Sequence, residues 1–362
     1  MPPPHQLLAA RSSSRFTPST AGLPALDPVD FSAVGGTAPT VLDTPDDWIP
    51  EADAVVITWA EAEWAALHHV FVDPGATMSH DASTHDDWPQ WKRYSRDMPS
   101  YSGSDSESWD YWGLTCLVEI GGKKVLLVKS NTHLDWPGRT YLEDLIRLLD
   151  AYAKPDLLLS IGTAGGARLG DHVGAINVVD AGTLYGADQK PSDWPTYRSP
   201  WTPDWSIVSK DGFSDLLVEI PATKERLTAL AAAFDAHNGT DYGLKGLDPL
   251  GLCTPTSPVV LSDLAPRTPL LTTSTFVVGT TDGRFEDYAV IEMDDAVIAD
   301  VCVGDGVDCG FVRNVSDPVQ NAALPTETQG DWGSAVYEVF GLYTSVNGAL
   351  VTWALLDAWA AG

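Results

Sequence analysis

The feature that most constrains this chain is its alternation of short, wholly apolar, β-branched runs with longer stretches of helical character. Ala54–Thr58 and Leu157–Ile161 are runs of the first kind, and Ala175–Ala181, Leu271–Val278, Tyr288–Ile291 and Gly310–Val315 read as further strands with polar residues among the apolar ones. Runs so short and so uniformly apolar predict strands covered on both faces, as in a parallel sheet. Ala60–Phe71, Tyr141–Tyr152, 219–236 and Ala296–Cys302 read as helices, and a long apolar helix, or two, closes the chain from Ser334. Leu114–Ile120 and Lys123–Lys129 flank Gly121-Gly122 and predict a hairpin. Strands alternating with helices point to an α/β fold with a mixed, mostly parallel central sheet flanked by helices.

The 362 residues divide unevenly around that frame. Residues 1–50 are rich in Pro, Ser, Thr and Ala, lack helical or strand period, and predict a flexible N-terminal arm. Its first 26 residues lack Asp and Glu and contain Arg11 and Arg15, as a transit peptide would, but Pro2, Pro3 and Pro4 spoil an amphipathic helix there. The folded part, 51–362, is expected to begin near Ala52. Two polar excursions interrupt it, near 73–112 and near 187–270, rich in Asp, Ser, Pro, Trp and Tyr. Six Asp-Trp dipeptides recur at irregular spacing, which excludes a structural repeat and suits loop anchors, with substrate stacking by one or two of them, such as Trp88 or Trp136, as the functional alternative.

Charge narrows the partners. Lys and Arg number 21 and Asp and Glu 50, so the formal charge is 21 − 50 = −29. A basic stripe for nucleic acid is missing, and an anionic membrane surface would repel the chain. The stretch Ala335–Ala361 is broken by Glu338, Asn347 and Asp357, short of the roughly 18 unbroken apolar residues of a membrane span. Cys116, Cys253, Cys302 and Cys309 have no zinc-type pairing and read as core thiols in a reducing, cytoplasmic setting. His68-His69 are adjacent, so on a helix they diverge and make no metal site.

In an open α/β sheet, ligands bind beyond the carboxyl ends of the strands. Following five of these runs in turn are Glu61 and Glu63; Gly162-Thr163-Ala164-Gly165-Gly166; Gly279-Thr280-Thr281; Glu292-Met293-Asp294-Asp295; and Ser316-Asp317-Pro318. Each has a plain structural reading. The glutamates complement a helix dipole, the aspartates cap a helix or form a turn, and the glycines make a tight turn. Together they bring carboxylates and one glycine-rich segment to one rim.

The order of these motifs resembles the nucleoside phosphorylase/nucleosidase superfamily over roughly residues 52–350. It is carried by Ile161–Gly166 followed by Leu169-Gly170-Asp171, by Ile291–Asp294 followed by Ala296, and by Val312–Asp317. The branch most similar is that of the methylthioadenosine/S-adenosylhomocysteine nucleosidases. The resemblance implies a single nucleoside-phosphorylase-like domain that cleaves an N-glycosidic bond. It implies Glu63 as the water-activating base and Asp317 as the acid at purine N7. It implies Asp294 at the ribose hydroxyls, where the family usually has the longer Glu. It also implies Phe276 stacked on the base and Met293 along the sugar, with Thr163, Gly166, Glu292 and Ser316 around the substrate. Such chemistry needs a raised-pKa acid and a carboxylate holding water, and neither a metal nor a cofactor.

Ser160 and the Thr58-Trp59-Ala60-Glu61 segment stand where phosphate-using branches carry an Arg and a phosphate loop. That favours water over phosphate as nucleophile. Phosphorolysis and a non-catalytic nucleoside- or nucleotide-binding module remain as alternatives. Lys129, His133, Arg139 and Arg168 are the nearby bases; Arg139 or Arg168 facing the pocket would indicate a phosphorylated substrate. A homo-oligomer, dimer or hexamer, is implied by resemblance alone.

Overall fold

The apolar runs become the centre of one sheet. The computed structural model describes residues 16–80, 88–101, 109–256, 260–262, 268–275 and 277–362. Its strands are β1 (Thr40–Val41), β2 (Ala54–Thr58), β3 (Lys92–Tyr94), β4 (Gly113–Ile120), β5 (Lys123–Ser130), β6 (Leu157–Gly166), β7 (Ile176–Val179), β8 (Ala181–Leu184), β9 (Thr196–Arg198), β10 (Val260–Ser262), β11 (Leu270–Thr272), β12 (Val290–Glu292) and β13 (Asp308–Asp317). The helices are α1 (Glu61–Leu67), α2 (Arg139–Ala153), α3 (Phe213–Leu216), α4 (Lys224–Asn238), α5 (Gly243–Leu247), α6 (Asp295–Asp305) and α7 (Thr326–Ala361).

The fold is α/β with a mixed sheet. Strands β5, β2, β6 and β13 lie side by side and parallel at its centre. Antiparallel partners extend it, β4 on β5 at one side and β7 on β13 at the other. Successive residues of a strand face opposite ways, and both faces are covered. Val56, Leu159 and Val312 join Trp64 of α1 and Val336, Phe340 and Tyr343 of α7. Val55, Ile57 and Leu158 join Leu142, Leu145 and Ile146 of α2 and Val297 and Ile298 of α6. Gly121 and Gly122 both have positive φ, +59° and +83°, as the tight β4–β5 hairpin requires.

Strand β6 positions the site by changing partners. It pairs with β2 as far as Ser160. It pairs with β12, antiparallel, at Gly165 and Gly166. Among the described residues, no strand covers residues 161–164 on that side, so their backbone groups are open to side chains and ligand. The glycine-rich segment is therefore strand, not the tight turn expected. Its small residues are needed because side chains from α1 and β13 and the backbone after β13 close on it: a Cβ on Gly162 would meet Arg313 at 2.5 Å and Glu63 at 2.7 Å, and one on Gly166 would meet the Val319 amide at 3.0 Å.

Several expected boundaries shift. Ala175–Ala181 is two strands, β7 and β8, and the strand expected over Leu271–Val278 ends at Thr272. The flexible arm of residues 1–50 is corrected for its described part. Leu26, Phe31 and Val34 are buried in the main core, Phe31 lies 4.4 Å from the Trp353 ring, and β1 pairs with β4. Apolar residues set singly among prolines show no period, so this packing left no pattern to read. The excursion at 73–112 is likewise packed where it is described. Trp88 stacks on His68 at 3.8 Å, and Tyr101, Trp109 and Trp112 form an aromatic cluster.

The closing helix is single. It is long enough to cross a membrane and contains an 18-residue window apolar enough to do so, with a mean hydropathy of 1.4, but that window is wholly buried inside the protein. It forms the core against β13 and α1.

Candidate active site

At the carboxyl ends of β2, β6, β12 and β13 lies a cavity of about 220 Å³. Glu63, Thr163, Gly166, Glu292, Met293, Asp294 and Asp317 all line it. Ser316 does not; it sits behind the wall and its hydroxyl donates to Asp317 Oδ1 at 2.9 Å. Phe276 lies outside the described residues. Trp59, His133, Arg313 and Gln320 are among the other lining residues. Trp88 and Trp136 do not reach it, and among the described residues neither excursion contributes to it.

Glu63 is held by the start of α1. It is the third residue of the helix and reaches back to the Ala60 N–H, at 2.9 Å, the half of a capping box that an alanine N-cap permits. Oε2 also accepts from Thr58 Oγ1 at 2.7 Å and from the Trp59 N–H at 3.1 Å. Oε1 accepts from the Thr163 N–H at 2.6 Å and from Thr163 Oγ1 at 2.7 Å. The Thr163 amide is free to donate because β6 has no sheet partner on that side. Burial alone would raise this carboxyl, but Arg313 and the donors outweigh it and hold it below its ordinary 4.5.

Asp317 ends β13, just past an irregularity in its register with β6 between Val315 and Asp317. Such a bulge re-aims a side chain. The carboxyl lies against Gly165 and Gly333, whose lack of a side chain lets it pack closely. Burial pushes its pKa up to about 7, with Ser316 pulling the other way. The two acids of one cavity are thus displaced in opposite directions.

Between them Arg313 crosses the floor. It donates to Asp295 at 2.5 and 2.7 Å and to Ser160 Oγ at 2.7 Å, and lies 3.4 Å from Glu292. Ser160 donates to Asp295 at 2.5 Å. Glu292 accepts from Thr272 Oγ1 and from the Asp294 and Asp295 amides. Burial, then Asp295, pushes Glu292 up to about 8 against the pull of Arg313, and burial likewise raises Asp295. Two buried acids share one guanidinium, so they titrate as a unit.

Asp294 occupies the N-cap position of α6 but makes no side-chain cap. Its Oδ1 accepts from the Leu134 N–H at 2.8 Å and its Oδ2 pairs with His133 Nδ1 at 3.0 Å. Burial would lower His133, but Asp294, then Asp135 and Glu63, raise it above its ordinary 6.5.

Sequence reasoning left Arg313 without a role, although it stands inside the Val312–Asp317 motif. A charged residue between apolar neighbours in a central strand was the available signal, since such a group is buried only when paired. The other bases fall elsewhere. Lys129 pairs with Glu61 at 3.6 Å, Arg139 with Glu143 and Asp300, and Arg168 with Asp171 and Asn177; none lines the cavity. Among the described residues, no group of three or more His, Cys, Asp and Glu side chains is placed to hold a metal ion.

No family model matches the chain, and no curated protein matches its sequence. Solved structures resemble it in fold. The 5′-methylthioadenosine/S-adenosylhomocysteine nucleosidase of Neisseria meningitidis, solved with methylthio-immucillin-A, is 16% identical, with 84% of this chain and 99% of that one covered at a TM-score of 0.45. The S-adenosylhomocysteine nucleosidase of Streptococcus pyogenes, solved with 5-methylthiotubericidin, is 13% identical, with 85% and 97% covered at 0.46. Futalosine hydrolase of Helicobacter pylori is 12% identical, with 83% and 98% covered at 0.43.

Proposed function

We propose that this chain is a purine nucleosidase, hydrolysing the N-glycosidic bond of a purine nucleoside or nucleoside derivative to free base and sugar. The observation that carries this reading is the opposite displacement of Glu63 and Asp317 across one cavity. Breaking an N-glycosidic bond needs a proton for the departing base and a base for the attacking water. Asp317, raised to about 7, holds a proton to give to the purine, N7 being the acceptor that the motif resemblance suggests. The C1′–N9 electron pair leaves with the base. Water adds its oxygen to C1′ and gives its proton to Glu63, and exchange with solvent restores both carboxyls.

Glu63 accepts from five donors, while a carboxylate has about four lone-pair directions. The Thr163 hydroxyl can rotate and give its place to water, while the Thr163 amide keeps Oε1 aligned. Asp294 anchors the sugar hydroxyls in this reading, with Met293 along the sugar, Glu292 holding the Asp294 backbone, and Gly166 giving the base close access to β6. Phe276 remains the proposed stacking aromatic. Ser316 acts through Asp317.

Water is preferred to phosphate because Arg313 is already committed to Asp295 and Ser160, and because an ionised Glu63 stands where the anion would approach. A dianion would need Arg forks or backbone donors left open to it. The test is incubation with a panel of purine ribosides, 5′-substituted ribosides and nucleotides, with and without phosphate, reading free base by chromatography. Phosphate-independent release is expected. Release only with phosphate, or none from any substrate, contradicts the reading. We also propose a homo-oligomer, which light scattering in solution checks.

A further inference from the structure

Arg313 brings a positive charge to a cavity whose proposed nucleophile is neutral water, and two buried groups behind the wall hold it there. Arg313 stands opposite Gly162 in the ladder of β6 and β13. Ser160 lies two residues back on β6 and so faces the same side. Asp295 opens α6, where the helix dipole favours an anion. Ser160 and Asp295 are wholly buried, and neither lines the cavity.

Their contact with the guanidinium is a fork. Nε donates to Asp295 Oδ2 at 2.7 Å, and Nη2 donates to Asp295 Oδ1 at 2.5 Å. Nη2 also donates to Ser160 Oγ at 2.7 Å, and the Ser160 hydroxyl donates in turn to Asp295 Oδ1 at 2.5 Å. A guanidinium has five N–H donors, and the fork occupies the Nε and Nη2 edge. Nη1 makes no hydrogen bond to the protein among the described residues. It is turned toward Glu63, for a single Cβ added to Gly162 would meet Nη1 at 2.5 Å and Glu63 Oε1 at 2.7 Å.

Donors of the kind an oxyanion seeks therefore stand beside the place of attack. Charge keeps an oxyanion away. The Asp295 carboxylate balances the guanidinium in a bidentate pair, and the ionised Glu63 leaves the place negative. Glu292 cannot take over the fork. It reaches Arg313 only at 3.4 Å, and its oxygens already accept from Thr272 and from the Asp294 and Asp295 amides.

We propose that Asp295, with Ser160, is a positioning residue for Arg313: it holds the guanidinium by its Nε and Nη2 edge and balances its charge, so that the place beside Glu63 refuses inorganic phosphate and related oxyanions. The proposal rests on the nucleosidase reading for what that place does. It assigns the refusal of phosphate to a residue outside the cavity. Asparagine at this position keeps the shape, removes the charge and turns a donor toward a donor, which leaves a guanidinium N–H without an acceptor.

The experiment titrates inorganic phosphate into the full chain by calorimetry at neutral pH. Chloride holds the ionic strength constant, so that screening is the same in every arm. The proteins are the wild type, Asp295→Asn, Ser160→Ala, and Asp295→Asn combined with Arg313→Ala. Asp295→Asn is expected to bind phosphate about tenfold tighter than the wild type, the worth of one hydrogen bond to a charged group, and Ser160→Ala about threefold tighter. The double variant should return to within about twofold of the wild type. General loosening of the structure would not create a phosphate affinity that depends on Arg313. Binding by Asp295→Asn within about twofold of the wild type overturns the proposal, as does a gain that survives Arg313→Ala. Should either Asp295 variant fail to melt cooperatively, Ser160→Ala decides, and no gain there overturns the proposal. Absence of base release by the wild type overturns the nucleosidase reading instead. The phosphate affinities need no turnover and still decide the role of Asp295.

Discussion

The two ends of the cavity are built from the same chemical group in contrasting surroundings. Glu63 gathers five hydrogen-bond donors and the field of Arg313. Asp317 has the Ser316 hydroxyl and its own backbone to set against burial. The first is held as an anion and the second is pushed toward its acid form. Residue type does not decide which carboxyl is held as the anion; the field of Arg313 and then the donors around Glu63 do, because each favours the charged form and offsets part of its desolvation. The same contrast extends to mechanics, since a saturated carboxylate is also a structural joint, whereas a lightly bonded one is not.

The sharpest way to break the comparison is to neutralise each end. In the proposed reaction, Asp317→Asn removes the proton donor and little of the architecture. It is expected to lower free-base release by about 10²- to 10⁴-fold, the usual worth of general acid catalysis, with an unchanged melting temperature. Glu63→Gln should lower the rate comparably and also cost about 1–3 kcal/mol of stability, because its amide turns a donor toward donors. Denaturant titration separates the two variants. Equal stability losses would erase the distinction between joint and acid.

The glycines along β6 sharpen it further. Gly162→Ala places a methyl within 2.5 Å of Arg313 and 2.7 Å of Glu63, so it should destabilise the fold by about 1–3 kcal/mol. Gly165→Ala meets its nearest neighbour, Asp317 Oδ2, at 3.4 Å and should fold normally. A smaller effect is expected of pH. The protonated fraction of Asp317 falls above about 7, so the rate should fall by about tenfold per unit beyond that point. Glu63, held below 4.5, gives no matching loss until the solution is more acidic than that. Least of all, Arg139→Ala should leave base release within about twofold and cost under about 1 kcal/mol, because its ion pairs lie on the surface, 41% exposed.

Much of this site was legible as order along the chain. Strand ends followed by Glu63, Thr163, Asp294 and Asp317 are a linear signal, and the parallel centre of the sheet converts it into proximity. The remainder depends on contacts between distant segments. His133 reaches Asp294 across 161 positions of sequence through a loop with no motif. Arg313 was visible as an isolated charge in an apolar strand, but its partner Asp295 read as a helix cap. The arm over residues 1–50 looked loose because single apolar residues between prolines have no period, yet in its described part Phe31 and Thr37 dock on Trp353. The glycines of 162–166 looked like a turn because glycine is commonest there. They serve instead to let Glu63, Arg313 and Asp317 approach an extended strand.

One cavity is thus expected to hold one carboxylate and one carboxylic acid near neutral pH. Carboxyl-carbon NMR titration of the full chain, labelled at Asp and Glu, measures this directly, with Asp317→Asn and Glu63→Gln identifying the two resonances. The account predicts a resonance lost in Asp317→Asn that titrates at about 7, and one lost in Glu63→Gln that stays ionised down to below 4.5. Both resonances titrating together in the ordinary carboxylate range would contradict it.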